Sequence, residues 1–135
     1  MGAILVSGEI GSTVKAGDHG TTFGGGPLVS NVALEVVHRL SDPVLLATVR
    51  ENGMWLGEAL RAIGRRTGKV RAIRGMGYMW GLDVLEQANV VIERGWDAGL
   101  LVISAGDHTI RLLPPLVMTR DELERGVALL EQILT

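Results

Sequence analysis

The sequence predicts an α+β fold, a small antiparallel sheet covered on one face by helices, and three observations predict it. Met76, Tyr78, Trp80, Leu82 and Val84 alternate with Gly75, Gly77, Met79, Gly81 and Asp83, which is the period of a strand. Two apolar runs, Leu28 to Leu40 and Leu46 to Ile63, recur at helical spacing. Short strand-like segments and a capped C-terminal helix follow the alternating stretch, so residues 70–135 mix strands with helices.

Each element has its own grounds. Ala3 to Ser7 is a continuous apolar run and reads as a strand buried on both faces. No strand-like neighbour precedes residue 70, so it needs a long-range partner or neighbours that are missing. Pro27 suits a first helical turn, and Leu28, Val29, Val32, Ala33, Val36, Val37 and Leu40 form the stripe of the helix that follows. Ser41-Asp42-Pro43 interrupts it, with Asp42 as N-cap and Pro43 as first residue of the next helix. Leu46, Val49, Gly53, Leu56, Leu60 and Ile63 give that helix a stripe suited to packing along another helix. It ends at Gly64 or Gly68.

Gly75 and Gly77 mark a turn, a bulge or a close approach within the alternating stretch. Ala88 to Ala98 is a short helix closed by Gly99. Leu100–Ile103 and Thr109–Leu113 are short strands joined by a turn at 104–107, and Pro114-Pro115 stops the second. Thr119 and Glu122 form a capping box for the last helix, whose buried stripe is Leu123, Val127, Leu130 and Leu134.

Composition narrows the function. The 135 residues suffice for a domain with a real core, and 47% apolar with 21% charged residues is ordinary for a globular chain. A net charge of -2 offers no electrostatic case for nucleic acid or an anionic membrane. The absence of cysteine excludes disulfides, thiolate chemistry and Cys-ligated metal, and fits a reducing, cytoplasmic setting. No apolar run reaches the roughly 18 residues of a membrane span, and the start, Met1 to Ser7, is too short and lacks the basic residues of a secretory signal.

The chemistry-bearing segment is the loop Gly17-Asp18-His19-Gly20-Thr21-Thr22-Phe23-Gly24-Gly25-Gly26-Pro27. Glycines admit close approach of the backbone, the paired Thr hydroxyls and free N–H groups can donate to an anion, and a helix starts just downstream. This is a candidate phosphate-facing loop; a flexible surface turn is the alternative. His19 reads as a loop-shaping hydrogen bonder, and His38 and His108 have no spacing that suggests a metal or a triad. Gly106-Asp107-His108 reads as a hairpin turn. Trp55, Trp80 and Trp96 read as core or interface residues.

These pieces, in this order, resemble the C-terminal part of a class III aminotransferase of the acetylornithine and ornithine type. GDHGTTFGGGP at 17–27, VRAIRGMGYMWGLDV at 70–84 and GLLVISAGDHTIRLLPPL at 99–116 carry the resemblance, which extends over essentially the whole chain. It implies a fold-type I enzyme that uses pyridoxal phosphate, works as a homodimer and moves an amino group from N-acetylornithine to 2-oxoglutarate. By resemblance, residues 1–42 are the tail of a large domain, its last strand and interdomain helix, with the phosphate-contacting loop. Residues 43–135 are then the small C-terminal domain. Thr22 would hydrogen-bond the cofactor phosphate in the other subunit of the dimer, with Thr21 shaping the same loop. Arg111 would bind the substrate α-carboxylate, a task suited to the rigid guanidinium fork; a solvated charge on a half-exposed strand is the alternative. Gly26 stands where the family usually has Asn.

The family's Schiff-base lysine lies upstream of the segment matched by Gly2 to Ser7, and neither Lys15 nor Lys69 matches its motif. The expectation is a C-terminal fragment that is inactive alone and does not hold the cofactor by itself. One half of a split enzyme, or a non-catalytic oligomerisation or binding module, are the alternatives.

Overall fold

A computed structural model describes residues 2–135 and divides into two compact units, with the boundary after Asp42. In the first unit, Ser7 caps a single turn, α1 (Gly8–Gly11), its Oγ accepting from the Ile10 N–H at 3.3 Å. A long loop then leads to α2 (Pro27–Leu40), which opens on Pro27 as the sequence predicts.

The strand expected at Ala3–Ser7 does not form: these residues pair with no strand among the described residues, and Ile4 and Leu5 are 87% and 98% exposed. A strand exists only through its ladder, and this apolar run finds no partner backbone among the described residues. No residue of α2 is buried either.

The second unit holds the core. Its elements are α3 (Pro43–Thr67), β1 (Val70–Met76), β2 (Met79–Val84), α4 (Ala88–Asp97), β3 (Ile103–Ser104), β4 (Thr109–Leu112) and α5 (Arg120–Leu134). The four strands form one antiparallel sheet in the order β1-β2-β4-β3. Helix α3 packs on β1 and α5, and α4 packs on β3, β4 and α5. One face of the sheet therefore meets helices: Trp80, Leu82, Val84 and Ile110 are buried there against Leu60, Ile63, Val91, Leu130 and Leu134.

The hairpin departs from the sequence reading in one respect. Gly77, at φ +55°, forms the turn with Tyr78, and the register Gly75↔Trp80 and Met76↔Met79 pairs odd positions of β1 with even positions of β2. The alternation that looks continuous from Met76 to Val84 thus changes face at the turn. Met76 lies on the open side and is 85% exposed, whereas Trp80 is buried. Tyr78 is buried in the turn, its hydroxyl donating to the Met118 carbonyl and accepting from Asn52 Nδ2.

The turn sits directly on α3. A Cβ at Gly53 would fall 2.7 Å from the Gly77 Cα and carbonyl oxygen, and one at Gly57 would fall 2.4 Å from the Trp80 ring. The small residues in the α3 stripe are where the hairpin touches the helix. That stripe therefore packs against the sheet as well as against α5, where the sequence predicted a helix alone.

Helix α3 runs through Gly64 and ends before Gly68, which takes φ +64°. The strand predicted at Leu100–Ile103 shrinks to Ile103–Ser104, because the Leu100 N–H turns back to the Gly95 carbonyl and closes α4. The capping box forms as predicted: the Glu122 N–H donates to Thr119 Oγ1, and the Thr119 N–H to Glu122 Oε2 at 2.8 Å.

Candidate functional site

The two sets of residues singled out by the sequence fall in different units. In the first unit, Asp18 and Lys15 close the start of the glycine-rich loop. The Lys15 N–H donates to Asp18 Oδ2 at 2.8 Å, and the Asp18 N–H donates to the Lys15 carbonyl at 3.1 Å. Thr21 Oγ1 accepts from the Phe23 N–H at 3.3 Å, and the Gly24 N–H reaches the Thr21 carbonyl at 3.4 Å. Thr21 thereby folds the loop on itself, and Gly24 is needed there, since a Cβ would lie 2.6 Å from Thr21 Cγ2. Thr22 is exposed, and its hydroxyl has no hydrogen bond among the described residues. Thr21 is occupied locally while Thr22 is available to a ligand. His19 is exposed and makes no hydrogen bond among the described residues.

In the second unit, the face of the sheet turned away from the helices carries polar and charged side chains beside Met76, Met79 and Ile103. Arg74, Gly81 and Arg111 stand in one cross-strand row, with Ile103 beyond. Ala72, Asp83 and Thr109 form the next. Arg74 holds Asp83 through both nitrogens, Nη1–Oδ2 at 2.7 Å and Nη2–Oδ1 at 3.0 Å, and the Thr109 hydroxyl donates to Oδ1 at 2.5 Å. These bonds from Arg74, then from Thr109, hold the Asp83 carboxyl down at about 2. Arg111 is exposed and has no hydrogen bond or ion pair among the described residues. Its strand is fixed on both sides, by β2 and β3, so an unpartnered guanidinium projects from a rigid element. Chemically, that is a receptor for a planar anion, above all a carboxylate.

Some functional structure escaped the sequence reading. His108 ties the hairpin turn to the start of α4: its Nδ1 lies 2.7 Å from the Glu86 carbonyl, and the carbonyls of Asp107 and His108 accept from the N–H groups of Ala88 and Val84. Arg120 lies 4.3 Å from the Trp55 ring centroid and donates to Asn52 Oδ1 at 3.1 Å, extending the buried Asn52–Tyr78 pair. Neither arrangement has a signature of sequence spacing. A cavity of about 570 Å³ lies among Leu56, Val102, Leu112, Met118, Leu123 and Leu130. Its lining is mainly apolar, and it does not include Arg111. Among the described residues no cluster of three or more His, Cys, Asp or Glu could hold a metal, and no helix is long and apolar enough to cross a membrane.

Comparison with known proteins places this geometry in a family. The model of the class-III aminotransferases matches residues 1–134. The chain is 38% identical over 135 residues to a mitochondrial acetylornithine aminotransferase of Alnus glutinosa, covering 99% of this chain and 30% of that protein. The crystal structure of acetylornithine aminotransferase from Elizabethkingia anophelis superposes with a TM-score of 0.81 at 26% identity, covering 96% of this chain and 34% of that one. An ornithine aminotransferase from Toxoplasma gondii, with partial occupancy of pyridoxal phosphate at its active site, superposes with a TM-score of 0.80 at 27% identity over 93% of this chain and 31% of that one. The chain thus spans about a third of the length of the relatives it matches. Over that span it belongs to the class III aminotransferases.

Proposed function

We propose that these 135 residues supply the carboxylate-binding and phosphate-contacting parts of a pyridoxal-phosphate-dependent aminotransferase of the acetylornithine and ornithine type, with 2-oxoglutarate as amino acceptor. Residues 1–42 act as the tail of the large domain and residues 43–135 as the small C-terminal domain. The observation that carries the reading is Arg111: a guanidinium with no hydrogen bond or ion pair among the described residues, on a strand paired on both sides, in a chain of this family.

The residues present suit their share of the cofactor. A phosphate is held well by neutral hydroxyl and backbone N–H donors, and the free Thr22 hydroxyl in a glycine-rich loop provides them. In a homodimer this loop would serve the other subunit's cofactor, with Thr21 keeping it folded. When bound, pyridoxal phosphate supplies the electron sink for amino transfer. Arg111 orients the amino-acid substrate by its α-carboxylate, so that its amino end is held towards the reaction. The lysine of the reaction comes from sequence outside these 135 residues, and the chain alone is inactive.

The test is reconstitution. The 135-residue chain with pyridoxal phosphate, N-acetylornithine and 2-oxoglutarate should give no turnover, and mixing it with a polypeptide carrying the remaining two-thirds of a relative should restore it. In that mixture Arg111→Gln should raise KM for the amino acid by about ten- to a hundredfold, the worth of a hydrogen bond to a charged group. Thr22→Ala should weaken pyridoxal phosphate by about tenfold. Turnover by the chain alone, or an Arg111→Gln mixture with unchanged KM, would overturn the reading.

A further inference from the structure

We propose that the hollow between the C-terminal half of α3 and the outer edge of β1 is a binding site for a phosphate group, served by Arg61, Arg65 and Arg71. It is separate from the glycine-rich loop, which lies in the first unit. The net charge of -2 conceals how unevenly charge is laid out along the chain. Residues 61–74 hold Arg61, Arg65, Arg66, Lys69, Arg71 and Arg74, and no Asp or Glu. Helix α3 and strand β1 pack on each other within the second unit. They come close at Gly64, where a Cβ would lie 3.3 Å from Ile73 Cδ1. Beside that contact, Arg61, Gly64 and Arg65 from the helix and Val70–Ile73 from the strand line a hollow of about 370 Å³.

The cations divide by their partners. Outside the hollow, Arg66 is held by Glu131 through Nε and Nη2, and Arg74 is held by Asp83. The three arginines that line it form no ion pair among the described residues. Arg61 and Arg65, four residues apart, share one face of α3, where like charges repel. Glu58, three residues before Arg61, makes no ion pair with it. Arg61 is fixed instead over the Trp80 ring, its Cζ 5.5 Å from the centroid. On β1 the register skips Arg71: Val70 pairs with Val84 and Ala72 with Asp83, which leaves Arg71 as the extra residue of a bulge. Its guanidinium bonds the neutral Leu85 carbonyl at 3.5 Å, so its charge is uncompensated. Asp83 is already bound by Arg74 and Thr109, and Arg71 is the smallest influence on that carboxyl. Strand β1 is also an edge of the sheet, so its outer N–H groups add donors. Three guanidiniums around a small hollow gather more charge than one carboxylate neutralises. A phosphate dianion, with several acceptor oxygens, matches both the charge and the forked donors.

The test titrates the full 135-residue chain with inorganic phosphate and, separately, with glycerol 3-phosphate at constant ionic strength. NMR reads the arginine side chains and the amides of residues 70–73. Both probes should give saturable shifts there, and the tighter one identifies free phosphate or a phosphorylated molecule as the source. Acetate should bind about tenfold more weakly or less. Arg65→Gln and Arg71→Gln should each weaken phosphate about tenfold, the worth of a hydrogen bond to a charged group. Arg66→Gln removes the same charge outside the hollow and should leave binding unchanged. Shifts that do not saturate, acetate binding as well as phosphate, or equal weakening by Arg66→Gln would reveal a merely solvated basic face and overturn the proposal. Shifts confined to residues 17–27 would overturn it too, while leaving the phosphate-contacting role of the glycine-rich loop intact.

Discussion

At the scale of single residues, glycines do opposite things in neighbouring helices. Gly53 lies under the hairpin turn, where a Cβ would stand 2.7 Å from Gly77 backbone atoms that cannot swing away. Gly53→Ala should therefore destabilise the fold by about 2–3 kcal/mol in urea titration, the cost of overpacking. Gly126, within α5, has nothing within 4 Å of its missing Cβ, and Gly126→Ala should stabilise by about 0.5–1 kcal/mol in the same assay. Both are helical glycines in the sequence, and nothing local tells them apart. Gly53 sits on the apolar stripe and Gly126 beside one, but the clash depends on which backbone crosses the helix. The open sheet face shows the same limit: the strand and motif of Arg111 are legible, while the pairing of Asp83 with Arg74 and Thr109 is set by register.

At the scale of elements, helix ends and turns are the best-read features because their chemistry is local. The Thr119–Glu122 box, Pro27 and Pro43 at helix starts, and Gly68 beyond the end of α3 all lie within a few residues of what they control. Thr119→Ala should cost about 1 kcal/mol by unfolding of α5. Three carboxylates couple elements to pH. Asp83 is held at about 2 by Arg74 and then Thr109; Glu122 is lowered by the Thr119 backbone N–H and hydroxyl, and Glu131 by Arg66, across α3 and α5. Each is lower in the folded than in the unfolded chain, so the stability it adds is present above the ordinary carboxylate range and lost as pH falls through it, for Asp83 towards about 2. Asp83→Asn should flatten that acid limb in urea titrations at stepped pH. A steeper limb would contradict the assignment. The strand predicted at 3–7 failed because a ladder needs a partner that sequence neighbours do not supply, and the short strand predicted at 100–103 kept only Ile103 because Leu100 closes α4 instead.

At the scale of the whole molecule, the core belongs to the second unit, while the first exposes Leu28, Val32, Leu34, Val36, Val37 and Leu40 along α2. Contiguous exposed apolar surface of this kind drives association. The chain should sediment above its monomer mass of 14.4 kDa, and removing residues 1–42 should shift it to a monomer. A compact monomer of the full chain at high concentration would sink this expectation. By itself the sequence determined the α+β class, the helices and their caps, the hairpin and the family, because periodicity, capping and motif are local properties of the chain. Only the tertiary structure decided which face each hairpin residue takes, which glycines touch backbone, and that Asp83 is bound by Arg74 and Thr109. Those outcomes depend on register and on competition between side chains far apart in sequence, which physical proximity alone resolves.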